Sequence, residues 1–303
     1  MSARYLVTGA GGTTGGVSNA VVELLVRDGA EVRALVHHDD HRAAALRKLG
    51  AHVVAGDLTE PSDVVAAMNG VDRMFFNMGV SSSYLEAAAV VSAVGREHSS
   101  LETVVNMSQM TVSQMSLTSG EESHQQRLHW LSEQVLDWSG LPVTHVRPTV
   151  FMDNPLFTFL AAPSVRERHT LALPFGEGRT SPIAALDVAR VVATLLREPE
   201  GHRRHVYELT GPDLLDIDGL ARNLAGALDH PVAGVDVPHA QWVEHVLAPA
   251  GLPPHVEHHI ETMARLHRAH RYEHLTDDVE RVTGRPATTL LQYVAANPGK
   301  FGG

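Results

Sequence analysis

The sequence predicts an α/β fold, a doubly wound parallel sheet followed by a small, mainly helical C-terminal lobe. Short β-branched runs alternate with helix-length segments through the first half of the chain, the pattern of strand–helix–strand crossovers. A glycine-rich turn joins the first run to the first helical segment. The alternation stops near residue 147, after which Pro148, Pro155, Pro163, Pro174 and Pro182 punctuate the chain.

Taken in order, strands are predicted over 4–8, 31–36, 52–55, 73–78, 102–108 and 142–147, with a seventh over 205–209. The first helix spans 17–28, where Ala20, Val21, Leu24 and Leu25 share one face and Gly29 marks the stop. Further helices fall over 41–49, 61–68, 83–95 and 123–138, the last closed by Gly140. The proline-punctuated stretch reads as loop and as the lining of a cleft. A helix over 185–196 follows, with Asp187 in its first turn, where a carboxylate suits the helix dipole. From Asp213 onward the chain reads as largely helical, with Asp216 and Asp218 at a helix start.

At 303 residues, 44% of them hydrophobic, the chain can bury a sizeable core without staples. Its formal net charge of -11 repels a phosphate backbone, so no nucleic-acid partner is expected. The absence of cysteine excludes disulfides, thiolate nucleophiles, iron–sulfur clusters and cysteine zinc sites. The N-terminal residues lack a signal-peptide pattern and no run is long enough to span a bilayer, which gives a cytoplasmic expectation with no membrane partner. Lysine occurs only at Lys48 and Lys300, against 22 arginines, a skew of GC-rich bacterial coding.

The strongest motif is VTGAGGTTGG, in which Gly9, Gly12 and Gly15, with Thr13 and Thr14 between them, fit G-x-x-G-x-x-G directly after a strand and before a helix. Glycines at such a turn let the backbone approach a pyrophosphate, whose charge then sits on the helix N-terminal amides. The fold is therefore read as Rossmann-like. A turn that binds nothing is the competing reading. At the end of the second strand stand Val36 and His37, where an acidic residue would select a free ribose hydroxyl. Arg33 and Arg42 flank that point and suit a 2′-phosphate, whereas Asp39 and Asp40 oppose one, and all could be solvated loop charges. The balance favours NADP, with NAD allowed. Asp57 is placed to reach an adenine amino group with Leu58 over the ring, or else to cap the next helix. Asn77, Met78 and Gly79, and then Ser108 and Gln109, close the fourth and fifth strands at the carboxyl edge where open sheets bind ligands.

These residues resemble the NmrA-like group of atypical short-chain dehydrogenase/reductases. The glycine motif, Gly56-Asp57-Leu58, SGLPVTHVRPTVFMDN over 139–154, SPIAALDVA over 181–189 and LTGP over 209–212 carry the resemblance almost end to end. It implies an NAD(P)-binding domain over 1–150 and a substrate-binding lobe over 151–303, interleaved with the sheet near 181–210. It also implies that Arg147, Pro148 and Thr149 close over the nicotinamide end. Phe151, Met152, Asn154 and Phe157 would begin the substrate pocket, with Gln109.

Ordinary relatives of that group place a tyrosine and a lysine four residues apart, the lysine lowering the tyrosine pKa and positioning the ribose. Aligned on Glu133, that pair falls on Gln125 and His129, so the standard acid is missing. Candidate proton donors are His129, His124 and Tyr84. For His129 a cofactor-ribose role competes with catalysis and with a plain surface position, and Tyr84 could simply cover the cleft. The 20 histidines raise a metal site, above all His255, His258 and His259, but no H-E-x-x-H order occurs and a polar helix face is expected instead.

The resulting expectation is an NAD(P)H-dependent oxidoreductase for a hydrophobic conjugated small molecule such as a quinone, enone, iminium or dye. The alternatives are a nucleotide-sensing regulator with a protein partner, and an isomerase or lyase on the same fold. A reductase predicts an open apolar pocket and a sensor a blocked one. The oligomeric state is not legible, with a homodimer allowed.

Overall fold

The computed structural model describes residues 3–12, 16–98 and 100–302, with the side chain of residue 98 left aside. The first half runs β1 (Arg4–Thr8), α1 (Val17–Arg27), β2 (Glu31–Val36), α2 (His41–Leu49), β3 (His52–Ala55), α3 (Pro61–Met68), β4 (Arg73–Phe76), α4 (Tyr84–His98), β5 (Thr103–Met107), α5 (His124–Trp138) and β6 (Val143–Pro148). Then follow α6 (Ala162–Arg168), β7 (Thr170–Leu173), α7 (Ala185–Arg197), β8 (Val206–Leu209), α8 (Ile217–Leu228), β9 (Ala233–Asp236), α9 (His239–Trp242), α10 (Pro254–Arg268), α11 (Asp278–Thr283) and α12 (Leu290–Ala296). Among the described residues seven parallel strands form the main sheet in the order β3-β2-β1-β4-β5-β6-β8. The direction of winding reverses between β1 and β4, so the loops after these two strands border the crevice where such sheets bind ligands.

The central strands are buried on both faces, as their near-continuous apolar runs require; all five residues of β5 are inaccessible. One face packs under α1 and α7 through Val21, Leu25, Val188 and Val192, the other under α3, α4 and α5 through Val64, Met68, Val91 and Leu136. Helix starts are fixed by side chains that satisfy orphan amides. Asp40 accepts from the Arg42 amide, Asp216 from Gly219, and Ser123 and Gln126 form a reciprocal box at the head of α5. Asp187 does more than face a dipole: it is buried, pairs with Arg190 at 2.7 Å and accepts the Thr288 amide at 2.7 Å, tying α7 to the C-terminal segment.

A third core, around Leu156, Leu160, Phe175, Leu220, Trp242 and Ile260, belongs to the C-terminal lobe. Here the structure adds to one expectation and corrects another. The mainly helical lobe also carries a two-stranded sheet, in which β7 and β9 pair in parallel, Thr170 opposite Ala233 through Leu173 opposite Asp236. The proline-punctuated stretch is not mainly loop, since a π-helical turn (Leu156–Ala161) runs directly into α6. Pro155 heads the π-helical turn, where a missing amide costs nothing, and Pro163 falls where that turn passes into α6. Among the described residues no helix is long and apolar enough to cross a membrane.

Candidate functional site

The chain leaves β1 through Gly9, whose φ of 69° belongs to the left-handed region and where a Cβ would lie 2.6 Å from the Asn77 carbonyl oxygen. The turn is tied to β4 from beneath. Thr8 Oγ1 donates to the Asn77 carbonyl at 2.7 Å and accepts the Asn77 amide at 2.9 Å. Asn77 Nδ2 donates to Ser18 Oγ at 2.9 Å, and Ser18 Oγ to the Thr8 carbonyl at 2.8 Å. This brace ends β4 at Phe76, two residues short of the expected strand. Gly12 closes onto the Gly9 carbonyl at 3.1 Å, and α1 begins at Gly16 with no side-chain cap and no acidic residue in its first turn. Its leading amides are thus left for an anion. Thr13, Thr14 and Gly15 lie outside the described residues.

The turn opens into a cleft of about 520 Å³ that also takes in His37, Arg42, Asp57, Leu58, Met78 and Gly79. Arg42 is held at its rim by Asp40, with Nε and Nη2 at 2.9 and 2.6 Å from Oδ2, and Nη1 donates to the Gly11 carbonyl at 2.6 Å. Arg47 grips Asp39 through two bonds of 2.7 Å. Both aspartates that opposed a 2′-phosphate therefore already have a cation, and the guanidinium partners hold both carboxyls below the usual range. Arg33 does not reach the cleft, because its guanidinium donates to the Ala66, Ala67 and Asn69 carbonyls at the end of α3. Asp57 performs two tasks. One oxygen accepts the Thr59 amide and hydroxyl at 2.8 Å each, the other lies 3.3 Å from His37 Nε2, and these bonds lower its pKa.

A second cavity of about 460 Å³ shares Gly9, Gly12, Arg42, Met78 and Gly79 with the first and extends towards the lobe. Asn77, Ser108, Gln109, His129, Pro148, Phe151 and Asn154 all line it. Four buried polar atoms on its wall have no partner among the described residues: Ser108 Oγ, Gln109 Nε2, His129 Nδ1 and Thr149 Oγ1. Such convergent polar groups in an apolar pocket mark a ligand site.

The protonation of His129 follows from its neighbours. Gln125 Oε1 lies 3.1 Å from the Ser81 amide, which can only donate, and 2.7 Å from His255 Nε2. The other end of the amide is therefore nitrogen, and it donates to His129 Nε2 at 3.1 Å. The imidazole proton sits on Nδ1. Burial, with the neighbouring His259 imidazole opposing a second positive charge, pushes the His129 pKa down to about 3, so the ring is uncharged at working pH.

Several expected site residues are elsewhere. Tyr84 is fully buried, its hydroxyl donates to the Met107 carbonyl at 2.7 Å and its ring packs 4.1 Å from that of His129. Burial raises its pKa further, so it backs His129 and offers no proton to the cavity. His124 starts α5 on the exposed side, edge-on to His255, away from both cavities. Met152 and Phe157 belong to the lobe core, Phe157 standing edge-on to Phe175. The Arg147 side chain turns from the cavity to a buried ion pair with Glu133, 3.0 and 2.5 Å, while Pro148 and Thr149 stay at the wall. Conversely, sequence reasoning missed the wall formed by Val256, His259, Ile260 and Met263 on α10. Their spacing at i, i+3, i+4 and i+7 was a legible stripe, obscured by reading the histidines as one polar face. His258 is exposed and His259 buried. Among the described residues no three histidines or carboxylates gather to hold a metal ion.

The sheet, the glycine turn and the paired cavities define a dinucleotide-binding α/β protein with an apolar pocket beside the cofactor cleft. The chain belongs to the NAD(P)H-binding family, which it matches over residues 12–199. An NAD(P)H azoreductase of Xenophilus azovorans is 31% identical over 297 residues, covering 96% of this chain and 98% of the relative. The (4-alkanoyl-5-oxo-2,5-dihydrofuran-3-yl)methyl phosphate reductase of Streptomyces griseus is 28% identical and covers 98% of each chain. The NADPH complex of a quinone oxidoreductase from Escherichia coli superposes with a TM-score of 0.83 at 21% identity, over 97% of this chain and 99% of the other, a likeness of fold.

Proposed function

We propose that this protein is an NADPH-dependent reductase of apolar, conjugated small molecules of the quinone, enone, iminium or dye type, with NADH as a weaker reductant. The observation that carries the reading is the continuity of the two cavities: the glycine cleft opens, through shared Gly9, Gly12 and Gly79, into a pocket walled by Phe151, Val256, Ile260 and Met263. A sensor would need no such opening. The relatives that align over the whole chain are named as reductases, one of them for azo compounds.

The residues fit the cofactor. Gly9 leaves space that a Cβ would fill, the head of α1 lacks a cap, and four unpartnered polar atoms line the inner cavity. Gly9, Gly12 and the α1 amides would hold the pyrophosphate, Asp57 and Leu58 the adenine, and Arg42 with His37 a 2′-phosphate. Asn77, Met78, Gly79, Ser108 and Pro148 would flank the nicotinamide end. His129 Nδ1–H would donate to the ribose, at the position where relatives of the NmrA-like group carry the ribose-binding lysine. Gln109, Phe151 and Asn154 would meet the substrate. When bound, the nicotinamide supplies a hydride. The tyrosine that lines the cavity among the described residues, Tyr272, is stacked on His267 and made a weaker acid by burial, and His129 is too weakly basic to be charged, so the favoured acceptors are those that take a hydride first and a proton from water afterwards.

Fluorescence titration with NADPH and NADH, followed by the nicotinamide absorbance in the presence of azo dyes, quinones and triarylmethane dyes, tests the reading. Tighter NADPH binding with oxidation by one acceptor class supports it. Binding without oxidation by any acceptor would move the protein to the sensor class.

A further inference from the structure

The reductase reading gives no task to a buried histidine of the lobe that lines the inner cavity. His259 is 9% exposed and projects from α10 among Val256, Ile260 and Met263. It lines the inner cavity only, outside the glycine cleft. Its Nδ1 lies 2.8 Å from Ser123 Oγ. That oxygen already accepts the Gln126 amide at 3.2 Å as the cap of α5, and Ser123 is fully buried. Among the described residues the one acceptor within reach of the Ser123 hydroxyl hydrogen is His259 Nδ1. The hydroxyl therefore donates to Nδ1, and the imidazole proton resides on Nε2.

Nε2 has no partner among the described residues, and the α10 residues that share the cavity wall with His259, namely Val256, Ile260 and Met263, are apolar. The ring is also uncharged. Burial, with the charges of His255 and His258, pushes its pKa down to about 4. A neutral N–H whose direction is fixed by a helix cap, facing an apolar cavity without an acceptor, is sustained where a ligand supplies one.

We propose that His259 Nε2–H is the substrate anchor of this pocket, donating to an acceptor atom, a quinone or enone carbonyl oxygen, at the lobe end of the conjugated system. The inference rests on the reductase reading for the identity of the ligand. It assigns to the lobe, and to one residue in it, the preference for acceptors that carry a carbonyl over those that do not. A cationic triarylmethane dye has no comparable acceptor atom and serves as the internal comparison.

The test is binding to the NADP⁺-loaded protein, where no hydride is available. A soluble hydroxyanthraquinone and a cationic triarylmethane dye are titrated by fluorescence quenching against wild type, His259→Phe and His259→Asn. The expected result is that His259→Phe weakens the quinone about tenfold, the value of one hydrogen bond in an apolar site, and leaves the dye and NADP⁺ unchanged. His259→Asn, which keeps an N–H donor and an acceptor for Ser123, restores most of the affinity. In wild type labelled with ¹⁵N-histidine, a ring protonated at Nε2 and absent from the His259→Asn spectrum shifts when the quinone is added. Equal quinone affinity in wild type and His259→Phe, equal weakening of quinone and dye, or no quinone binding to wild type overturns the assignment. Should His259→Phe fail to fold, His259→Asn and the labelled spectrum decide. Failure of the reductase reading is seen separately, as NADPH left unoxidised by every acceptor.

Discussion

Gln125 and His129 stand one helical turn apart on α5, with the amide nitrogen of the first 3.1 Å from the imidazole Nε2 of the second. The family resemblance sets the tyrosine and lysine of ordinary short-chain dehydrogenases on these two positions, and here the two side chains form a coupled pair. The Ser81 amide orients Gln125, Gln125 sets the tautomer of His129, and the outcome is one uncharged N–H at the cavity wall. His129→Ala is expected to raise the NADPH dissociation constant about fivefold to tenfold, the loss of one buried hydrogen bond, with the thermal midpoint little changed. Fluorescence titration measures it. Unaltered NADPH affinity with slower turnover would move His129 from the ribose to the substrate.

Gly9 permits no side chain. At its φ of 69° a Cβ is strained in its own backbone and meets the Asn77 carbonyl at 2.6 Å, inside the hydrogen-bonded brace that joins β1, β4 and α1. Gly9→Ala is expected to cost about 1–3 kcal/mol of stability and to abolish nucleotide binding. Urea unfolding and an NADPH titration on the same sample check both parts, and a variant that binds NADPH normally would remove the turn from the phosphate site.

Arg42 holds Asp40 and the Gly11 carbonyl together at the rim of the cleft. Arg42→Ala leaves the Asp40 carboxylate without its cation beside the place proposed for the 2′-phosphate. NADPH affinity should fall about tenfold or more while NADH affinity changes by less than about threefold, so that the preference between the two narrows or reverses. Competitive titration gives the ratio directly.

Three histidines, His259 and His267 buried and His129 half-buried, predict an acid-sensitive fold. His129 and His267 have pKa values pushed down to about 3 and His259 to about 4, with burial the leading cause in each. The unfolded chain takes up a proton on each near pH 6.5, whereas the folded chain does not. The stability they contribute is complete above about pH 6.5 and is lost as pH falls towards 4 and then 3. Each can remove about 3 kcal/mol by pH 4. His267 lies stacked between Phe175 and Tyr272, 4.1 and 3.8 Å between ring centroids, so an aromatic ring of similar shape can replace it. The thermal midpoint of wild type should drop steeply between pH 6.5 and 4, and that of His267→Phe less steeply. Parallel curves would mean that His267 does not titrate in the unfolded chain as argued.

The main sheet was legible because its strands are short runs of β-branched or aromatic residues bounded by turn residues, and because Gly29, Gly140 and the caps Asp40, Ser123 and Asp216 mark helix limits locally. The pair β7 and β9 was not, since Ala233–Asp236 contains a single large apolar residue and owes its extended form to a partner 63 positions earlier. At the site, residues held by backbone position line the cavities where the sequence set them, Gly9 from the glycine motif, Met78 and Gly79 from a strand end, and Pro148 from the family resemblance. Those whose role depends on side-chain direction were not legible in this way. Tyr84 and His129 both follow from the same stretch of reasoning, yet one ring lies behind the other. Arg147 turns away because the buried Glu133 carboxylate demands a cation, a long-range requirement that no local pattern carries. His259 was hidden by its own neighbours: in HVEHHIETM the facing of each histidine depends on which side of α10 packs on the lobe.

The wall of the inner cavity contributed by α10 lies wholly outside residues 12–199, the part of the chain matched by the family. Most of the lining of the glycine cleft and one wall of the inner cavity are therefore written in separate stretches of the gene, although Gln109, Phe151 and Asn154 of that cavity fall within the matched part. Under the function proposed above, changes confined to four positions on one face of a 15-residue helix would retune ligand choice while the glycine turn and its brace stay as they are. A lineage built this way can diversify by drift in a single helix, and exchanging that helix between relatives would transplant a preference without rebuilding the fold that serves it.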